Sequence, residues 1–222
     1  VVYAQPRLVL WLDGSSSATQ ANGGVVNTWN DKSGNNHHFT ASGSNRPIFR
    51  STLGPSNTKC LEFDGVDDRM ICPSFDFSGS EYTFYFVLKT NDDTYGLFSY
   101  AVSDSDTDEM LIYNNSGIRQ KMGASDRASA IADLSDNDWN YGGVLWDNSP
   151  NLLWEYDDDN HFETTNSFAS GYSLSSGGSA AIGDIQTLLG GGFLGTDAFD
   201  GLIAEIIIFE GMLDRPETRL MR

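Results

Sequence analysis

The stretch Phe199–Arg222, FDGLIAEIIIFEGMLDRPETRLMR, constrains the fold more than any other. It opens on the turn signal Asp200-Gly201. An apolar run follows on both parities: Leu202, Ile206 and Ile208 on one, Ile203, Ile207 and Phe209 on the other. Apolar residues on both parities predict a strand buried on both faces, the central strand of a layered β protein. Glu205 is the one charge inside it, and a buried carboxylate needs a partner. Arg215, Arg219 or backbone N–H groups are the expected partners. Gly211 then ends the strand. Asp214, with Glu217 three residues on, reads as a capping box, and Pro216 suits a first helical turn. A short closing helix, packed outside the sheet, is therefore expected.

The rest of the chain supplies partners for that strand. Leu8–Leu12 reads as the first strand. Segments at Pro47–Phe49, Lys59–Phe63, Arg69–Cys72 and the aromatic-rich Tyr82–Lys89 follow, then Tyr95–Tyr100, Glu109–Tyr113 and Gly117–Met122. Trp139–Trp146 pairs naturally with Leu152–Tyr156, and Ala180–Ile185 comes before the closing strand. Many short strands separated by turn signals predict an all-β antiparallel sandwich. The Gly/Ser clusters at 175–179 and 190–192 are too short for linkers, so residues 1–222 read as one domain. Trp11, Trp29 and Trp146 fall in apolar runs and are expected in the core.

Charge narrows the partners. Lys and Arg number 13 against 31 Asp and Glu, a net charge of −18. Nucleic acid is not an expected partner, because phosphate binding rests on clustered cations. No apolar run approaches the ~20 residues of a membrane span. No leader-like segment precedes the first strand, so a processed chain or an excised module is expected. The two cysteines, Cys60 and Cys72, lie symmetrically about Val66 in CLEFDGVDDRMIC. If Asp64–Asp68 is a hairpin turn, they face each other on paired strands and form a disulfide, which would imply an oxidising compartment. The alternative is two reduced, half-buried thiols.

Four segments together resemble the laminin-G-like and pentraxin-like domains of the concanavalin A-like jelly-roll group. They are LVLWLDGSSS, VNTWNDKSGNNHHFT, CLEFDGVDDRM and FDGLIAEIIIFEGMLDRPE, in that order. The resemblance implies a two-sheet antiparallel jelly roll with a short C-terminal helix. It implies a non-catalytic carbohydrate-binding or adhesion module, extracellular or displayed on a cell or virion surface. Its partners would be a glycan or polysaccharide, or neighbouring chains of a surface assembly. Calcium is the cofactor the resemblance implies. The pentraxin ligand pair falls on Thr107 and Asp108, and the second ligand segment on Gly183–Thr187, where Gln186 matches and Asp184 stands one place early. Asp106, Asp108, Asp184 and Gln186 are thus the candidate metal ligands, on one rim of the sandwich. At the position of a structural calcium ligand in glucanase-like relatives this chain has Ala204. Asp31 and Asp64 are expected to form Asx turns.

Enzyme chemistry finds little support. The same fold hosts glycosidases, which need two carboxylates about 5 Å apart in the retaining class. The nearest stretch, Glu155–Asp159, reads as a strand end entering an acidic turn. The lyase members use His and Tyr with Arg on facing strands, and His37, His38 and His161 all read as loop residues. For sugar stacking, Tyr113 and Trp139 are the candidate aromatic platforms. A structural module binding only its neighbours is the second reading, and a polysaccharide-degrading enzyme the third.

Overall fold

In the computed structural model two antiparallel sheets pack face to face. The structure describes residues 5–17, 20–102, 110–115, 117–123, 125–128, 134–148, 152–157, 160–165, 168–189, 192–193 and 195–213. The first sheet runs β14 (Asn160–Thr165), β13 (Leu152–Asp157), β12 (Asn140–Asp147), β7 (Glu81–Thr90), β18 (Asp200–Glu210), β5 (Cys60–Asp64) and β4 (Ile48–Arg50). β1 (Arg7–Asp13) also pairs with β18. The second sheet runs β11 (Ser125–Ala128), β10 (Ile118–Met122), β9 (Met110–Asn115), β8 (Thr94–Ala101), β15 (Gly178–Ile182), β6 (Met70–Phe75), β3 (Phe39–Thr40) and β2 (Thr28–Trp29). A small ribbon, β16 (Gln186–Leu188) and β17 (Gly192–Phe193), lies apart.

β18 is the organising strand. One edge carries β7 along its length, and the other carries β5 on its first half and β1 on its second. The double-parity apolar pattern has a different cause from the one the sequence suggests. A β-bulge at Ala204 shifts the register between Ile203 and Glu205. The extra residue reverses the alternation, so Ile203, Ile206 and Ile208 all enter the core, while Leu202, Ile207 and Phe209 are half-buried on the outer face. Glu205 is on that outer face, and its partner is Trp11, whose indole Nε1–H donates to Oε1 at 2.8 Å. Trp11 is accordingly half-buried outside the core, with the Lys32 ammonium 4.3 Å from its ring. Trp29 and Trp146 are core residues as expected. The closing helix, with Arg215 and Arg219, lies outside the described residues.

Aromatic rings lock the sheets together. Phe84 of β7 meets Phe98 of β8 at 5.3 Å between centroids, and Phe75 contacts Phe77, Phe98 and Tyr100 edge-on. The polar loop 31–38 staples the edge: Asp31 accepts N–H bonds from Trp11, Ser33 and His37, the Asx-type role expected of it. His37 Nδ1 bonds Val9 O, and its Nε2 accepts from Asp76 N–H.

The cysteine hairpin does not form. β5 belongs to the first sheet and β6 to the second, so the segment between them crosses the sandwich. Asp64 Oδ1 accepts N–H bonds from Val66, Asp67 and Asp68, which winds that segment into a compact loop. Cys60 and Cys72 are both buried free thiols, on different sheets. Burial pushes Cys60 up to about 12 and Cys72 up to about 11.

Candidate functional site

One end of the sandwich gathers most of the residues singled out by sequence. Here β5 and β7 end and β18 and β12 begin; in the second sheet β15 ends and β6 and β8 begin. Asp184 and Gln186 follow β15, Trp139 precedes β12, and Tyr113 lies opposite Gly96 near the start of β8. Asp106 and Asp108 lie outside the described residues. The strands flanking them, however, stop at Ala101 and start at Met110, opposite Ser179 at the beginning of β15. Asp184 follows the opposite end of β15, whereas Gln186 reaches back along the sheet to Ser179.

Asp184 and Gln186 are fully buried; both Asp184 oxygens are engaged, whereas Gln186 Oε1 has no hydrogen-bond partner among the described residues. Asp184 Oδ1 accepts the Ile185 N–H at 2.7 Å, and Oδ2 is 3.5 Å from Arg69 Nη1. Burial nevertheless raises the Asp184 carboxyl above its ordinary range, against the opposing pull of Ile185 N–H and Arg69. The Arg69 guanidinium lies 4.4 Å from the Phe193 ring. Gln186 Nε2 donates to Ser179 Oγ at 2.7 Å, and its N–H donates to Ser99 Oγ at 3.1 Å. Ser99 and Ser179 lie in the second sheet, so these bonds pin the ribbon onto it. Tyr113 is half-buried and its hydroxyl is committed: it accepts from Arg119 Nε at 2.9 Å and donates to Asp126 at 3.0 Å. Trp139 is half-buried between Asp138 and Asn140.

The acidic loop after β5 brings three carboxylates together. One carboxylate oxygen from each of Asp64, Asp67 and Asp68 lies within 4.8 Å of the others. Asp68 is 4% exposed. Burial, then the Asp64 charge, pushes it up to about 7. Asp64 goes the other way: burial would raise it, but three N–H donors hold it below its usual range.

Beside this cluster, on the outer face of the first sheet, is a cleft of about 210 Å³. Its floor is Leu202, flanked across the sheet by Glu62 of β5 and Lys89 of β7. Asn91, Asn137 and Asp200 complete the wall. The tight start of β18 makes it possible. Gly201 has φ +152, and a Cβ there would stand 2.3 Å from Lys89 O. Glu62 is ion-paired to Arg50. Lys89 and the side chains of Asn91, Asn137 and Asp200 have no hydrogen-bond or ion-pair partner among the described residues. Sequence reasoning passed over this set. The signal available was the polar cluster Lys89–Asp93 closing an aromatic strand, together with the Asp200-Gly201 turn.

One feature of β14 corrects the reading of His161. It lies in a strand, in register with Tyr156 of β13. The lyase arrangement also needs arginine on facing strands, and β12, β13 and β14 contain none.

The comparisons agree with this architecture. No family model matches the chain. Human Pentraxin-4 is 30% identical over 122 residues, 53% of this chain and 26% of that protein, so the match spans about a quarter of the relative's length. A heptameric SAP-like pentraxin from Limulus polyphemus superposes with a TM-score of 0.58 at 17% identity, over 66% of this chain and 73% of that one. The chain has the pentraxin/laminin-G-like jelly-roll fold. Domain 4 of an extracellular GH43 arabinanase from Geobacillus stearothermophilus, solved with arabinotriose, superposes with a TM-score of 0.66 at 16% identity, over 99% of this chain and 100% of that one. Among the described residues no helix is long and apolar enough to cross a membrane.

Proposed function

We propose that this jelly-roll domain, residues 1–222, is a non-catalytic carbohydrate-binding module working outside the cell or on a cell or virion surface. The observation that carries the reading is the cleft. An apolar floor with unpaired amide, carboxylate and ammonium groups around it suits a sugar, which offers an apolar ring face and a belt of hydroxyls. The arabinotriose bound to the like-folded arabinanase domain supports the same class of ligand. A glycan array followed by calorimetry tests it. Binding to at least one glycan is expected. A chain that binds no glycan and instead self-associates would favour the structural-assembly reading.

Calcium enters this reading at Asp64, Asp67 and Asp68. Hard carboxylate oxygens held close together suit Ca²⁺, and a dication would offset both the burial and the Asp64 repulsion that raise the Asp68 carboxyl. The ion would supply neutralising charge beside the cleft. Asp64 and Asp200 are register partners, so the two features share one strand pair.

A further inference from the structure

We propose that the cleft takes one neutral sugar unit, gripped at two adjacent hydroxyls between Asp200 and Lys89, and that it rejects acidic sugars. This rests on the carbohydrate-binding reading and gives it a ligand class. The size argues for a single ring. At about 210 Å³ the cleft falls below the ~300–1,000 Å³ of sites for drug-sized ligands. Its width argues the same. Glu62, Leu202 and Lys89 are register partners on adjacent strands. With strands ~4.8 Å apart, the backbones at Glu62 and Lys89 stand about 10 Å apart with Leu202 between them, room for one ring lying on the leucine.

The polar groups then divide the work. Asp200 shares the parity of Leu202, so it lies on the same face one pleat further along. An ionised carboxylate only accepts, and two oxygens can take two neighbouring O–H groups. Lys89 only donates, and can approach the lone pairs of the same hydroxyls. Asn91 and Asn137 offer both donors and acceptors. Glu62 contributes less, because Arg50 already holds it.

Charge sets the exclusion. Lys89 is the one unpaired cation among the lining residues. Asp92 and Asp64 are close enough to Asp200 to raise its carboxyl, after burial, above the usual range. Asp67 and Asp68 adjoin Asp64, so the exclusion is strongest in chelator, with no cation on the cluster. A uronate or a sialic acid entering here meets more negative charge than the one ammonium offsets, and the whole chain carries −18. A neutral hydroxyl belt meets no such field.

The test uses the intact chain in calorimetry. The probes are methyl pentosides and hexosides, their oligosaccharides, and the matching uronic acids and sialyllactose, at low and physiological salt. At least one neutral sugar is expected to bind, with acidic counterparts at least tenfold weaker at low salt and the gap narrowing as salt screens the site. Lys89→Met and Asp200→Asn should each weaken neutral-sugar binding tenfold or more without lowering Tm. Lys121→Met, on the second sheet, should not. Neutral sugars that bind equally well to both cleft variants would overturn this inference and leave the carbohydrate reading standing. Equal or tighter binding of the acids would do the same. Binding of no sugar at all would overturn both.

Discussion

Asp68→Asn should make the protein more stable at neutral pH, and the structure gives the size. Asp68 is buried next to Asp64 and Asp67, and its carboxyl is pushed up to about 7 from 3.8. A group whose folded pKa lies above its unfolded value favours folding only while protonated. Below pH 4 both states hold the proton and the group contributes nothing to the difference. Between pH 4 and 7 the native state alone keeps it, and stability is lost as pH rises. A displacement of roughly three units, at 1.36 kcal/mol each, sets a ceiling of about 4 kcal/mol on the penalty above pH 7. Asparagine removes the charge and keeps an oxygen for the Asp64 N–H, which now bonds Asp68 Oδ2 at 3.1 Å. Its amide N–H groups face the neighbouring carboxylates. At pH 8 in chelator a gain of about 2–4 kcal/mol is expected, or at least about 5 °C in Tm for a chain of this size. The assay is a series of thermal melts of both proteins from pH 3.5 to 8.5. The difference should vanish at the acid end and level off above pH 7. A variant less stable than wild type at pH 8, or a difference independent of pH, would refute the reasoning. Calcium adds a second arm. If the ion binds the cluster, it stabilises wild type by mass action and the variant much less; an equal response in both would remove Asp68 from any calcium site.

Glu205 and the cysteines yield two further predictions. Burial raises the Glu205 carboxyl above 4.5, with the Trp11 N–H pulling the other way, so its charged form is disfavoured as pH rises above that value. Glu205→Gln keeps an acceptor for Trp11 and should be neutral or slightly stabilising at pH 7, whereas Glu205→Ala strands the indole N–H at a cost of about 1–2 kcal/mol; equal melting curves for the two variants would show that the bond contributes nothing. Cys60 and Cys72 should resist thiol reagents at pH 8 in the folded protein and both react after denaturation without reductant, so a mass spectrum of denatured protein showing no labelled thiol would restore the disulfide.

The architecture was legible in the closing strand because a long apolar run leaves few alternatives to a central position. Its detail was not legible. Bulge and double burial produce the same apolar pattern, and only register tells them apart; the charge at Glu205 was the clue that one face is not fully buried. The β5–β6 error has a similar origin. Asp64-Gly65 reads as a hairpin turn, but its carboxylate binds three successive N–H groups and turns the chain toward the other sheet. Local turn chemistry does not say which sheet the next strand joins. The Trp11–Glu205 bond joins residues 194 apart in sequence, beyond the reach of any local pattern.

The site was harder to read for a reason that follows from antiparallel topology. Two acidic segments can belong to the same pair of sheets and still lie at opposite ends, because each strand reverses direction. β15, running against β8, delivers Asp184 to the end of the second sheet where β8 begins, while Asp106 and Asp108 lie outside the described residues. Matching positions to ligand residues says nothing of how each side chain's polar atoms are shared with the rest of the fold. Asp184 holds the Ile185 N–H and faces Arg69, and Gln186 Nε2 ties the ribbon to Ser179 while its Oε1 has no hydrogen-bond partner among the described residues. Lys89 and Asp200 are the reverse case. Lys89 stands in no motif and Asp200 only in the turn that opens β18, and each is the polar end of a strand that is otherwise apolar toward the core. Gly201 lets β18 start hard against β7, and neither Lys89 nor the Asp200 side chain has a partner among the described residues. A charged residue at a strand end is unremarkable in sequence. Two of opposite sign, unpaired across one leucine, are a binding site's raw material.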